Sequence, residues 1–323
     1  MREIPLAAIR DAAASIYSVA ARTPLVRLPL PPDATERLGG AEIYLKLEVL
    51  QPIGSFKIRG AYNVIRQMSK DELRDGVWTV SAGNAAQGVA LAARTAGVPC
   101  SVMVMDTTPH TKLQAIERLG AAIVQVTYDE CWKTVETRQS DRMRGSLVHP
   151  FDDDRFIAGN GTAGLEIVED LPDVDAVVAP LGGGGLLSGL GSAIRSVRPD
   201  VPVFAAEPET AAPFDLSLKK GGPCAFEGWQ ASFVDGAGGR SVLPSMWPLL
   251  ERLLAGSIVV PLADVAAAMK LTAERVHVIA EGAAACAIAA ALSGRVPGRR
   301  IVAVASGGNI DLSRFASLVG ACA

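Results

Sequence analysis

Residues 176–181 read Ala-Val-Val-Ala-Pro-Leu, the next four positions are all glycine, and residues 186–197 then carry apolar side chains at three- and four-residue spacings. Six apolar residues without polar alternation suit a strand covered on both faces, and the helix that follows covers one of them. Similar runs fall at 43–47, 77–80, 101–105, 122–126, 203–207 and 301–306, and helical periodicity fills 84–96, 111–119 and 263–279. Strands joined by helical crossovers build parallel sheets, so the expected fold class is α/β, doubly wound and mostly parallel. A chain of 323 residues has room for about two such domains. The least regular stretch, 208–243, holds Gly221-Gly222-Pro223 and the glycines around Asp235, and is expected to loop over a site. The apolar run 283–292 is too short to cross a bilayer and reads as a buried helix.

A formal net charge of −3 gives no electrostatic reason to expect nucleic acid or an anionic membrane as partner. Cys100, Cys131, Cys224, Cys286 and Cys322 are widely spaced with no C-x-x-C pair, so neither a disulfide framework nor a zinc site is indicated. Residues 1–9 lack the apolar core of a signal peptide. The expected setting is the reducing cytoplasm.

The chemistry gathers at four places. Lys57 stands between Phe56 and Ile58 with Arg59 close by; burial or a neighbouring cation lowers a lysine pKa and frees the amine to bond an aldehyde. Taken alone, Lys57 is more simply a surface lysine. Gly182, Gly183, Gly184 and Gly185, followed by Leu186, lie at a strand-to-helix turn, where bare N–H groups and the helix dipole converge on an anion. A structural glycine turn remains an alternative. The spacing is not that of a dinucleotide site, and no P-loop lysine follows. Ser81-Ala82-Gly83-Asn84-Ala85 makes a second such turn, suited to a carboxylate or to ordinary helix capping. Ser306-Gly307-Gly308-Asn309 ends the last strand. Ligands collect at the carboxyl ends of parallel strands, and an amine with a phosphate nest suits a cofactor that is both aldehyde and phosphate, namely pyridoxal phosphate (PLP).

In order and spacing, Ser55-Phe56-Lys57-Ile58-Arg59-Gly60-Ala61, Ser81-Ala82-Gly83-Asn84, Gly182 to Leu186 and Ser306-Gly307-Gly308-Asn309 closely resemble the fold type II PLP-dependent serine/threonine dehydratases, the threonine ammonia-lyase and serine racemase group. The resemblance runs from about Thr23 to Asn309. It implies a tryptophan synthase β-like fold of two doubly wound α/β domains with PLP between them, the small one (76–151) inserted in a large one (1–75 with 152–323). It further implies that Lys57 bonds the cofactor, Phe56 flanks its ring, Asn84 meets its 3′-oxygen, Gly182 to Leu186 hold its phosphate and Ser306 meets its ring nitrogen. Ser81, Ala82, Gly83, Asn84 and Ala85 would frame the substrate. The implied reaction removes water and ammonia from a 3-hydroxy L-amino acid, such as threonine or serine, to leave a 2-oxo acid. A homodimer is the usual assembly.

Four departures qualify the resemblance. Ala82 stands where the racemases place a serine, and Ala85 where many members place histidine. Of the three groups that hold a divalent cation in some relatives, Glu207 and Ala211 match, but Pro213 replaces the aspartate, so no cation is expected. The stretch 235–247 is unlike that of ordinary threonine dehydratases, and no regulatory domain is expected in the fourteen residues after Asn309. The competing readings are a bulkier, phenylserine-like substrate, β-replacement of the cysteine synthase kind, and a PLP-binding protein without catalysis.

Overall fold

The computed structural model describes residues 2–321; Cys322 therefore lies outside the described residues. In chain order the strands are β1 (Leu25–Arg27), β2 (Glu42–Lys46), β3 (Val77–Val80), β4 (Cys100–Met105), β5 (Ala122–Val126), β6 (Ser146–Leu147), β7 (Ala176–Pro180), β8 (Val203–Pro208), β9 (Gly256–Val260) and β10 (Arg300–Val304). They form a six-stranded sheet ordered β1-β2-β10-β7-β8-β9 and a four-stranded sheet ordered β5-β4-β3-β6. Only the β1–β2 pair is antiparallel; the other pairings are parallel.

The apolar runs became strands because both of their faces are covered. All five residues of β7 and all four of β3 are buried. The helix Gly282–Leu292, built almost wholly of small residues, is buried along its length from Gly282 to Ala291, and its slender side chains let it lie close against the six-stranded sheet. Among the described residues no helix is long and apolar enough to cross a membrane.

The helices expected at 84–96 and 111–119 appear as Asn84–Ala96 and His110–Glu117. The one expected at 263–279 stops at Val276, because His277 takes a left-handed conformation with φ 61° and closes the helix. Three strands escaped the sequence reading: β1 and β6 have only three and two residues, and β9 begins at Gly256 inside a mixed stretch. The 208–243 segment is a partial correction, since it contains the helix Pro213–Lys220.

Beneath the helix Lys57–Ile65 lies a buried charge network. Arg59 Nε and Nη1 reach Glu48 at 2.7 Å and Glu166 at 2.6 Å, and Lys46 Nζ donates to Glu166 at 2.6 Å. The four side chains are within 1% of complete burial. Two cations offset two carboxylates, so each buried charge has a partner. This network anchors the helix that carries Lys57.

Candidate active site

The turns after β3, β7 and β10 line one cavity of about 700 Å³, and Phe56, Lys57, Ser81, Ala82, Gly83, Asn84, Ala85, Gly182 to Gly185, Leu186 and Ser306 all face it. The turns come from two sheets, not one. A short β-bridge joins Ser55 to Gly307, and Phe56 N donates to the Ser306 carbonyl at 3.0 Å. These contacts set the start of the Lys57 helix against the end of β10.

Lys57 lines this cavity, and its Nζ donates to the Pro150 carbonyl at 2.7 Å. Desolvation pulls the amine down to about pKa 8, while the field of Glu281 opposes it. Arg59 has no part in that shift, contrary to the sequence expectation. Its guanidinium is directed into the buried network and neutralised there by Glu48 and Glu166. The amine is also 5.2 Å from the Phe56 ring centre and 5.4 Å from that of Phe156, surroundings that solvate the ammonium less well than water does and so favour the neutral amine.

The four glycines pass from β7 into the helix Gly185–Val197. Gly184 has φ +90°, and a Cβ at Gly183 would come within 2.3 Å of the Phe151 ring. Only glycine satisfies both demands, one of backbone conformation and one of space. The first-turn N–H groups of this helix have no intrahelical acceptor and open onto the cavity, which fits a phosphate.

At the turn after β3, Ser81 does not cap the helix Asn84–Ala96. Its Oγ accepts from Gly83 N at 3.2 Å, and the N-cap is Gly83, with no side-chain cap bond. Asn84 Nδ2 donates to Glu281 Oε1 at 2.8 Å, and Asn309 Nδ2 donates to Asn84 Oδ1 at 2.7 Å. Asn309 Nδ2 also donates to the Ile53 carbonyl at 2.8 Å. This chain of bonds links the β3 turn, the β10 turn and the loop before Lys57.

Glu281 is the functional residue that the sequence reading missed. It stands at the N-cap of the helix Gly282–Leu292 yet makes no side-chain cap bond, turning instead toward Asn84. Burial raises its carboxyl to about pKa 7. A lone acid before a run of small apolar residues is the signal that could have marked it. His149, behind Phe151, is held neutral: burial lowers it to about pKa 4, its Nδ1 accepts from Asp152 N at 2.8 Å and its Nε2 meets the Val135 carbonyl at 3.1 Å.

Glu207 lies away from this centre. Its carboxylate accepts from Phe214 N, Asp215 N and Ser257 Oγ at 2.8, 2.9 and 2.6 Å, so it caps the helix Pro213–Lys220, whose first position is proline. Ala211 is buried beside that turn. No trio of His, Cys, Asp or Glu among the described residues is arranged to hold a metal.

A deep cavity at strand carboxyl ends, with a desolvated lysine on one wall and a glycine nest on another, defines an α/β protein built for an aldehyde phosphate. The chain belongs to the pyridoxal-phosphate dependent enzyme family, whose model matches residues 16–307. It is 38% identical over 319 residues to the L-threonine ammonia-lyase of Thermotoga maritima, covering 98% of this chain and 78% of that one. The structure of maize serine racemase superposes with a TM-score of 0.90 at 30% identity, covering 98% of this chain and 97% of that one. The processed form of threonine deaminase isoform 2 from Solanum lycopersicum gives a TM-score of 0.86 at 34% identity, with 97% and 92% covered.

Proposed function

We propose that this chain is an ammonia-lyase that eliminates water from a 3-hydroxy L-amino acid, threonine or serine, and releases the 2-oxo acid and ammonia. The carrying observation is the Lys57 amine, brought to about pKa 8 inside a cavity that also presents the glycine nest. PLP, when bound, accepts the electron pair left at Cα and so makes that carbon acidic. The residues of the chain do the rest. Lys57 Nζ holds the cofactor and, once displaced by the substrate amine, takes the Cα proton; a base near pKa 8 is close to the working pH. Gly182 to Leu186 hold the phosphate, Phe56 flanks the ring, Ser306 meets the ring nitrogen, and the turn from Ser81 to Ala85 receives the substrate carboxylate. Ala82 carries no hydroxyl, which separates this reading from a racemase.

In this reading residues 76–151 form the small domain and 1–75 with 152–323 the large one; the strands of the four-stranded sheet all lie between Val77 and Leu147. The enzyme works as a cytoplasmic homodimer. One observation favours the bulkier substrate as a second reading: the cavity that Ala85 lines also carries the apolar side chains of Met105, Trp132, Val135 and Phe151, which suit an aryl β-substituent.

The test is 2-oxo acid formation from L-serine, L-threonine and threo-phenylserine, with Lys57→Ala as the control. Elimination by wild type and loss of both Schiff-base absorbance and turnover in Lys57→Ala are expected. Removing a group that is both covalent anchor and general base costs at least about 10²- to 10⁴-fold. Full activity in that variant overturns the reading, and a poor phenylserine rate removes the second one alone.

A further inference from the structure

We propose that Glu281 is a positioning residue for the reaction, a counter-charge fixed on the wall of the Lys57 cavity that stabilises the ammonium formed when Nζ takes the substrate proton. The inference rests on the lyase reading above, in which Lys57 is that base. Three observations carry it. Glu281 and Lys57 line the same cavity, and Glu281 is the one charged group whose field acts on the Lys57 amine. Its carboxylate is held in place by Asn84 Nδ2 at 2.8 Å, and Asn84 is itself fixed by Asn309. Its position at the head of a helix leaves it free to cap that helix, and it does not. A Cβ at Gly307 would lie 2.7 Å from Glu281 Oε1 and 3.1 Å from Asn84 Nδ2, so the glycine of the β10 turn makes the approach possible.

Proton transfer to Lys57 creates a positive charge where little water can solvate it. A fixed carboxylate nearby lowers the energy of that charge in the transition state and needs no reorganisation at the moment of reaction. The other groups around Glu281 tune it without replacing it. Asp235 raises its pKa and Lys112 lowers it, and those two pair with one another at 2.8 Å. His149, on which the Lys57 charge also acts, is kept neutral by burial.

The experiment measures the Lys57 amine directly in the cofactor-free protein, by trace acetylation across a pH series read by mass spectrometry of the Lys57 peptide. Wild type should show a midpoint near pH 8, and Glu281→Gln a midpoint lower by about one unit, since removing a nearby opposite charge weakens the charged form. Glu281→Asp should keep part of the shift. In the PLP-loaded enzyme Glu281→Gln should lower kcat roughly tenfold, the rate equivalent of one unit, and move the acid limb of the pH profile to lower pH, with KM little changed. A Lys57 midpoint identical in Glu281→Gln and wild type overturns the inference. If Glu281→Gln does not fold, the wild-type labelling curve decides: ionisation of Glu281 near pH 7 must broaden it beyond a one-proton titration, and a simple one-proton curve counts against the proposal. Failure of the lyase reading is distinct, because no 2-oxo acid would then form from any of the three 3-hydroxy amino acids, whatever the Lys57 midpoint.

Discussion

At the scale of single residues the site works through what is missing as much as through what is present. Ala82 lies in the turn that faces the cavity and can neither give nor take a proton. An L-substrate should therefore be deaminated without accumulation of its D-enantiomer, as chiral chromatography of a running serine reaction would show. D-serine appearing as fast as the 2-oxo acid would mean that another acid serves the opposite face. Lys57 illustrates how a residue is legible while its physics is not. The motif marks the lysine, and its apolar neighbours with Arg59 suggested two causes for its low pKa, burial and a nearby cation. Of the two, burial alone acts, because Arg59 points from the same helix into a different environment.

At the scale of elements, two turns show opposite uses of a helix N-terminus. The turn after β7 leaves its N–H groups open to a ligand and is closed to side chains by Phe151. Gly183→Ala should meet that ring and lose about 1–3 kcal/mol to overpacking, seen as a lower melting temperature together with weaker PLP retention. Adding Phe151→Ala should restore part of both, and an unchanged melting temperature in the single variant would show that the ring simply moves aside. The helix Pro213–Lys220 instead has its N-terminus filled by Glu207. With the carboxylate so occupied, a chelator should change neither activity nor melting temperature; loss restored by magnesium or calcium would show that Glu207 is a ligand after all. The short strands β1 and β6 were illegible for a related reason. Two or three residues carry no periodicity, and pairing with β2 and β3 alone makes them strands.

At the scale of the whole molecule, the two sheets meet across the cavity through a few contacts between distant segments. Arg240 lies 4.8 Å from the ring centre of Tyr128, at the start of the helix Tyr128–Thr137, and 4.4 Å from that of Trp229. Lys112 pairs with Asp235 at the cavity wall. Cation–π contacts of this kind contribute about 0.5–2 kcal/mol, so Arg240→Ala should raise KM by up to roughly tenfold with a smaller change in kcat, if the stack holds the cavity in its binding form. An unaltered KM would make it a surface ornament. The buried ionisable pair also gives the cofactor-free protein a distinctive pH dependence. Glu281 has a pKa raised from 4.5 to about 7, so its contribution to stability is full below 4.5 and is lost as pH rises through 7. Lys57 has a pKa lowered from 10.5 to about 8, so its contribution is full above 10.5 and is lost as pH falls through 8. Melting temperature from these two groups should therefore pass through a minimum between about pH 7 and 8; on its acid side Glu207, which burial also raises to about 7, adds to the fall, and His149, lowered from 6.5 to about 4, offsets part of it. Glu281→Gln should flatten that acid side, and an unchanged profile would show that the carboxyl titrates normally.

The order of strands and helices, the lysine, the glycine nest and the asparagine turn were legible in the sequence because each rests on local chemistry: apolar runs without alternation, glycine where side chains are excluded, a turn at a strand's carboxyl end. The central place of β10 was not, since the last strand of the chain inserts between β2 and β7 through pairing that no local pattern specifies. Nor was the meeting of Glu281 with Asn84, 197 residues away. Only folding brings those two groups together, and only the burial that folding creates moves the pKa values of Lys57 and Glu281 toward one another.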